Sequence, residues 1–371
     1  MEIINKIFSA SSWLSFLSRL LINVNFFLEK HRIDFTYRKK IKRILHSNSL
    51  IYQMRKEEIK KCKAFSKDKY GYNDALWHRA YYGFNGIWSL NYIPEHFFYN
   101  YLENYLNPDH AKLPYLDKNN YDRLFPNEKK PKTIIRKIGD EYYDENYKSC
   151  LIDDILKHKR YNKIIIKPTI NASGGRGIAQ LNFKDLEKFL NHEKRSNLIV
   201  QERIKQHKDL AKFNKSSVNT IRISTVKIKS AVKLCSAFLR IGRENSIVDN
   251  VTCGGHIVGV NQDGYLKEHA FKRILHFKNN KHLDSKVKFE NFKIPSWTKL
   301  IKTALRLHDS VPGLGLLSWD MAIDETGEPV LIEVNISSQD INVHQFANGP
   351  LFGDMTEDVL DWYKKQKNPV N

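Results

Sequence analysis

Three oxygen-bearing side chains fall on what reads as a single hairpin. In Leu316–Asn335, LLSWDMAIDETGEPVLIEVN, the apolar Trp319, Met321 and Ile323 alternate with Asp320 and Ala322. Gly327 and Pro329 mark a turn, and Val330, Leu331, Ile332 and Val334 form a second apolar run. Successive side chains on a strand point to opposite faces, so Glu333 and Asn335 share one face. A carboxylate on a buried strand is costly unless it is paired or metal-bound. Asp320, Glu333 and Asn335 offer only oxygen donors, a set that suits Mg2+ beside phosphate oxygens and water. The alternative is a surface hairpin with solvated acids.

A second segment, Tyr161–Ala179, reads YNKIIIKPTINASGGRGIA. Ile164, Ile165 and Ile166 make a short buried strand that delivers Lys167, and Pro168 ends it. Ser173, Gly174, Gly175, Arg176 and Gly177 then form a flexible turn. Its glycines let backbone N–H groups approach an anion closely. Lys167 adds a point charge for phosphate. No Gly-Lys-Ser/Thr follows, which excludes the Walker A loop. SGGRG also lacks the spacing of the dinucleotide fingerprint. By itself the turn reads equally well as an ordinary hairpin.

Together the two segments resemble the ATP-grasp superfamily, whose enzymes hold ATP between two α+β subdomains. By that resemblance Lys167 is the second nucleotide lysine and the SGGRG turn the flexible loop over the phosphates. Gln201 and Glu202, in LIVQERI, match the segment that reads adenine. Asp320, Glu333 and Asn335 match the metal set in its E-x-N form. Lys118, in YLDKNNYDRLF, is similar to the first nucleotide lysine, with Arg136 or Lys137 competing for that role. The segments around SVNTIRISTV, SAFLRIGRENSIVDNVTCGGHIVGVNQDG and the hairpin narrow the resemblance to the sugar-transfer-associated group, tied to bacterial polysaccharide synthesis. It covers roughly residues 110–355.

The resemblance implies ATP and Mg2+ as cofactors and a ligase that joins a carboxylate to an amine through an acylphosphate. A nucleotide-sugar or glycan is the implied acceptor. Lys118 and Lys167 then neutralise phosphates, and the glycine loop excludes water. Arg222 and Arg240 sit within β-like runs. Each is either a snorkelled surface residue or a clamp on the γ-phosphate or substrate carboxylate. Asn219 is expected at ribose or metal. Asn250, Gly254, Gly255 and His256 form a polar loop expected near the acceptor, with His256 a general base or a satisfied surface histidine. The competing function is a non-catalytic nucleotide-binding module or a phosphotransferase associated with polysaccharide enzymes.

The elements that must position these residues give an α+β, ATP-grasp fold with a mainly helical N-terminal region. Expected divisions are a basic amphipathic helical region at 1–66 and an aromatic-rich helical region at 67–117. A small subdomain with the phosphate loop follows at 118–200, and a C-terminal subdomain with the metal set at 201–371. Ile134–Ile138 and Leu198–Val200 read as strands, Leu186–Phe189 as helix, and Thr356 as the N-cap of a last helix. Phe97, Tyr101 and Tyr105 recur at helical spacing and suit core packing. No strand-helix alternation precedes residue 130, unlike many ATP-grasp enzymes.

Composition bounds the rest. The chain has 371 residues, 41% of them hydrophobic, enough for two or three domains with sizeable cores. Cys62, Cys150, Cys235 and Cys253 are widely spaced, which argues against zinc or a disulfide framework and fits a reducing cytoplasm. Cys253, beside Gly254 and Gly255, reads as a small buried thiol in preference to a nucleophile. The formal net charge of +20 implies anionic partners. Ile3, Ile7, Ala10, Leu14, Leu17, Leu21, Val24 and Leu28 make one helical stripe, too interrupted by polar residues for a membrane span. From Arg19 to Lys63 there are 13 Lys/Arg and 4 Asp/Glu. Such a segment fits peripheral contact with the inner face of a membrane, or a helix packed on the core or across a dimer. Nucleic acid is a third, weaker reading, since no recognition motif accompanies the charge.

Overall fold

The computed structural model describes residues 21, 24, 28–46, 50–158, 161–170, 174–272 and 279–367. Ser173 and most of the Ile3–Leu28 stripe lie outside them. The β-branched and apolar runs build two antiparallel sheets. The first is ordered β2-β1-β5-β3-β4, with β1 Thr133–Ile138, β2 Glu141–Tyr143, β3 Lys163–Pro168, β4 Ala179–Asn182 and β5 Asn197–Glu202. The second is ordered β11-β10-β6-β7-β8-β9. It comprises β6 Ile221–Ile228, β7 Ala231–Ile241, β8 His256–Val260, β9 Leu266–Phe271, β10 Leu316–Ile323 and β11 Pro329–Asn335.

Each sheet buries one face under helices. Trp297, Leu300, Ala304 and Leu307 recur every three or four positions on the helix Trp297–Asp309 and pack on the second sheet with Ile223, Leu239 and Trp319. The first sheet closes over Ile134, Ile164, Ile166 and Leu198, covered by Leu186 and Leu190 of the helix Leu186–His192. Among the described residues no strand precedes β1. The chain before it is helical: 28–45, Lys56–Tyr70, Leu76–Asn85 and a composite helix.

That composite helix runs Glu95–Phe97, then a π-helical stretch Phe98–Leu102, then Glu103–Leu106. The extra residue in the π stretch shifts the helical phase, and such stretches often accompany functional sites. Phe97 is buried and meets Tyr101 and Tyr363, whereas Tyr105 is 38% exposed and packs edge-on against Tyr363. The expected stripe is therefore core at one end and surface at the other. Thr356 also departs from expectation. It starts the helix Thr356–Lys367, but its hydroxyl donates to the Gly353 carbonyl at 2.7 Å rather than accepting from the helix.

No helix among the described residues is long and apolar enough to cross a membrane.

Candidate active site

A cleft of about 870 Å3 lies between the two sheets. Lys118, Lys167, Gln201 and Glu202 line it from the first sheet and its flanking turn, and Arg222, Arg240, Asp320, Glu333 and Asn335 from the second.

Lys167 stands on β3 and Lys118 on a short 3-10 turn, Lys118–Asn120. Two contacts tie that turn to the end of β3. The Lys118 amide donates to the Thr169 carbonyl at 3.2 Å, and the Asn119 side chain donates to the Thr169 hydroxyl at 3.2 Å. The Lys118 ammonium meets Glu333 of the opposite sheet at 2.7 Å. Lys167 is only 8% exposed. Burial pulls its ammonium down to about 8, and the neighbouring charge of Lys118 adds to the shift. Glu333 is the acid beside this pair of cations, and its charge opposes the shift without cancelling it. Arg136 and Lys137, the competing candidates, do not line the cleft; Arg136 is fully buried against Asp122.

On the second sheet, register does the positioning. Asp320 on β10 sits directly opposite Arg222 on β6 and Glu333 on β11. Arg222 donates from Nε to Asp320 Oδ1 at 2.7 Å, from Nη2 to Oδ2 at 2.9 Å, and from Nη1 to Asp340 Oδ2 at 2.7 Å. Arg240 bridges Asp320 at 3.3 Å and Asp249 at 3.2 Å. Burial alone would raise the Asp320 carboxyl, but the two guanidinium groups outweigh it and hold it well below the usual carboxylate range. Asn335 also bonds to Asp320, and its Nδ2 donates to the Ser318 carbonyl at 3.2 Å.

The donor set fits a hard divalent cation. Two carboxylates and an amide lie on adjacent strands with Lys118 and Lys167 facing them, and every donor is oxygen. Asp320, Glu333 and Asn335 are the residues that would hold Mg2+. Among the described residues no cluster of three or more His, Cys, Asp or Glu side chains is arranged for a metal, so the amide of Asn335 is needed to complete this set. Lys118 and Arg222 now hold the carboxylates a cation would take, and both would have to share them on binding.

The glycine turn leans toward the second sheet. Gly174, Gly175 and Gly177 have φ of 71°, 74° and 75°, a conformation that glycine adopts without strain. A Cβ on Gly175 would lie 3.2 Å from Val248, and one on Gly174 would lie 3.7 Å from Asn250. Gly174, Gly175 and Arg176 line the cleft. Gln201 is buried and donates to Pro131 O at 3.3 Å, while Glu202 is exposed at the cleft edge.

Three expectations need correction. Asn219 is fully buried and does not line the cleft. Its Nδ2 donates to Gln206 Oε1, Leu210 O and Asn214 O at 3.1, 2.9 and 3.1 Å, so it shapes a turn instead of touching ribose or metal. His256 is neither at the surface nor in the cleft. Burial, with His282 adjacent, pushes its imidazole down to about 3, so it is a neutral packed ring and no base. Cys253 is exposed, not buried. Asn250 does line the cleft, with Oδ1 accepting from the Thr252 amide at 2.8 Å.

The cleft also contains residues that sequence reasoning missed. Asp340 faces Arg222 with its side chain 53% exposed, and both it and Ser338 hold φ of 54°. Non-glycine residues in that region carry strain, which persists where the surroundings fix it. Here the buried Glu103 accepts from the Gln339 amide at 3.3 Å, and the Gln339 side chain donates to Leu316 O and Asn335 O. A polar run, SSQD, one residue after E-x-N was the only available signal.

Residues 187–359 match the family described as sugar-transfer associated ATP-grasp. The match agrees with the resemblance read from the motifs and takes in Arg222, Arg240, Asp320, Glu333 and Asn335. Lys118, Lys167 and the glycine turn lie before it. Among curated proteins nothing matches this chain. Similar solved structures include L-amino acid ligase from Bacillus licheniformis, with 13% identity and a TM-score of 0.37 over 70% of this chain and 48% of that one. D-alanine–D-alanine ligase from Bacillus anthracis shows 16% identity and a TM-score of 0.38, covering 69% of this chain and 71% of that one. Biotin carboxylase from Campylobacter jejuni shows 14% identity and a TM-score of 0.40, with 67% and 47% covered. The chain thus spans about half the length of two of these three.

Proposed function

Taking residues 187–359 as an ATP-grasp segment, we propose that the chain is an ATP- and Mg2+-dependent carboxylate–amine ligase. One observation supports this reading most. Lys118 and Lys167 face Asp320, Glu333 and Asn335 across one cleft, so cations for phosphate and oxygens for metal converge on the same space. Mg2+, when bound, would neutralise charge on the transferring phosphoryl group.

In the proposed reaction a substrate carboxylate oxygen attacks the γ-phosphorus and ADP leaves, giving an acylphosphate. An amine nitrogen then attacks the acyl carbon, phosphate leaves, and the nitrogen gives up a proton as the amide forms. This chain's part is placement and charge. Lys118 and Lys167 hold phosphates, and Arg222 fixes Asp320 as an ionised carboxylate. Arg240, the more exposed of the two arginines, has its guanidinium beside the same acid for a γ-phosphate or carboxylate to meet. The glycine turn covers the phosphates and keeps water from the acylphosphate.

The description of the matched family supports a sugar or polysaccharide precursor as the molecule modified, and with it a cytoplasmic setting. Calorimetry with Mg-ATP, followed by ADP release with candidate nucleotide-sugars and amines, tests the reading. Binding of ATP that is indifferent to Mg2+, or ADP release unchanged in Glu333→Ala, overturns it.

A further inference from the structure

The helix 28–45 has two unlike faces. Inward, Ile41 and Ile44 are buried in a cluster with Trp77, Phe84 and Phe346. Lys40 reaches the buried Glu95 at 2.8 and 3.0 Å, and Arg38 pairs with Asp74 at 2.7 Å. This face is fixed to the body of the protein. Outward, Leu28 is 59% and Phe35 68% exposed, preceded on the same helical line by Leu21 at 68% and Val24 at 47%. Continuing in steps of three and four, that line passes from Phe35 to Lys39, Lys42 and His46. Lys39, Lys42 and Arg43 form no ion pair among the described residues. With Phe35 and Arg38 they line an open surface concavity of about 900 Å3. Among the described residues that line it, Asp34 is the one acid, and it faces His96 at 3.6 Å.

We propose that this outward face docks the protein on an anionic phospholipid bilayer, with Leu21, Val24, Leu28 and Phe35 entering the headgroup boundary and Lys39, Lys42 and Arg43 meeting lipid phosphates. Exposed large apolar side chains in line with unpaired cations are what an interfacial helix requires. A nucleic-acid backbone accounts for the cations but leaves four exposed apolar side chains without a role. The chain's +20 net charge adds long-range attraction of the same sign. The same helix also reaches the cleft. Its inward cluster contains Phe238, Ile257 and Phe271, which line the cleft wall. An acceptor carried on a membrane lipid would then arrive at the side of the protein that already holds the membrane.

The inference does not depend on the ligase chemistry, and its test reads binding alone. Flotation of the full chain with phosphatidylcholine vesicles, with and without phosphatidylglycerol, should show binding only to the anionic set, weakening as salt rises. Replacing Lys39, Lys42 and Arg43 together by Glu should weaken it at least ~100-fold, since each basic residue near an anionic surface contributes about a fivefold factor. Phe35→Ser should weaken it about tenfold. Mg-ATP affinity and circular dichroism should stay unchanged in both variants, which separates lost docking from lost folding. Equal binding to neutral vesicles, or full binding by either variant, overturns the proposal. Binding to duplex DNA that the charge variant loses and Phe35→Ser keeps would reassign the face to nucleic acid. A dimer in sedimentation that Phe35→Ser dissolves would reassign it to a second copy.

Discussion

Raising the pH from about 7 to about 9 is expected to weaken nucleotide binding roughly tenfold through Lys167 alone. The side chain is 8% exposed, and burial, reinforced by the Lys118 ammonium, sets its pKa at about 8 in the free protein. A phosphate beside it would restore the proton's hold, so the bound form stays charged across this range. The fraction of free protein carrying the binding charge then falls from about ten in eleven to about one in eleven, which is the tenfold loss. Stability moves the other way. A lysine whose folded pKa lies below its unfolded value near 10.4 is destabilising while protonated. Folding therefore gains free energy as the pH rises from about 8 to above 10, by about 3 kcal/mol in total. Titration calorimetry with a non-hydrolysable ATP analogue and Mg2+, repeated across this range, measures the first effect; urea denaturation measures the second. Lys167→Arg should flatten both curves. A wild-type affinity constant with pH, or a slope that persists in Lys167→Arg, would refute the assignment of this side chain to phosphate.

Other expectations follow from the same contacts. Glu333→Gln should abolish the Mg2+ dependence of nucleotide binding and lower ADP release by about 100-fold or more, read by calorimetry and coupled assay. Arg222→Met leaves Asp320 buried with only Arg240 for charge compensation; urea unfolding should show a loss of about 3–5 kcal/mol. Asn219→Ala removes three donated bonds and should cost about 1–3 kcal/mol of stability while Mg-ATP affinity holds. A loss of affinity matching that of Lys167→Ala would instead restore Asn219 to the ligand shell.

Local pattern was enough for the parts of the site that sit on strands. The triple Ile before Lys167, the apolar alternation around Asp320 and the E-x-N strand each carry their period within a few residues, and β3, β10 and β11 follow it. Arg222 and Arg240 were legible as strand arginines, but their partners were not. Asp249 lies 9 positions from Arg240 and Asp340 lies 118 from Arg222, and only the folded register joins the latter pair. Burial was equally hidden. Nothing in the sequence singled out Glu95 or Glu103, yet both are buried, and burial pushes their carboxyls up to about 7, Glu95 beside Lys40 and Glu103 beneath the Gln339 amide. Asn219, His256 and Cys253 were misplaced for the same reason. Their neighbours in sequence suggest polarity or size, whereas exposure is decided by whichever element packs on top.

The end of the composite helix carries a consequence for modularity. Asn107 is fully buried. Its Nδ2 donates to Leu316 O at 2.6 Å and Ile336 O at 2.8 Å, while its Oδ1 accepts from the amides of Gly315 and Leu316 at 3.0 and 2.9 Å. One amide from the helical region thus fastens the start of β10 and the exit of β11, the two strands that carry Asp320, Glu333 and Asn335. The hairpin is therefore not a portable cassette. A fragment beginning at residue 118 would keep every motif that identifies the chain and lose the clasp that sets their spacing. Grafting the front half of a relative onto this back half would demand an equivalent amide at that one place, whatever else the graft contained.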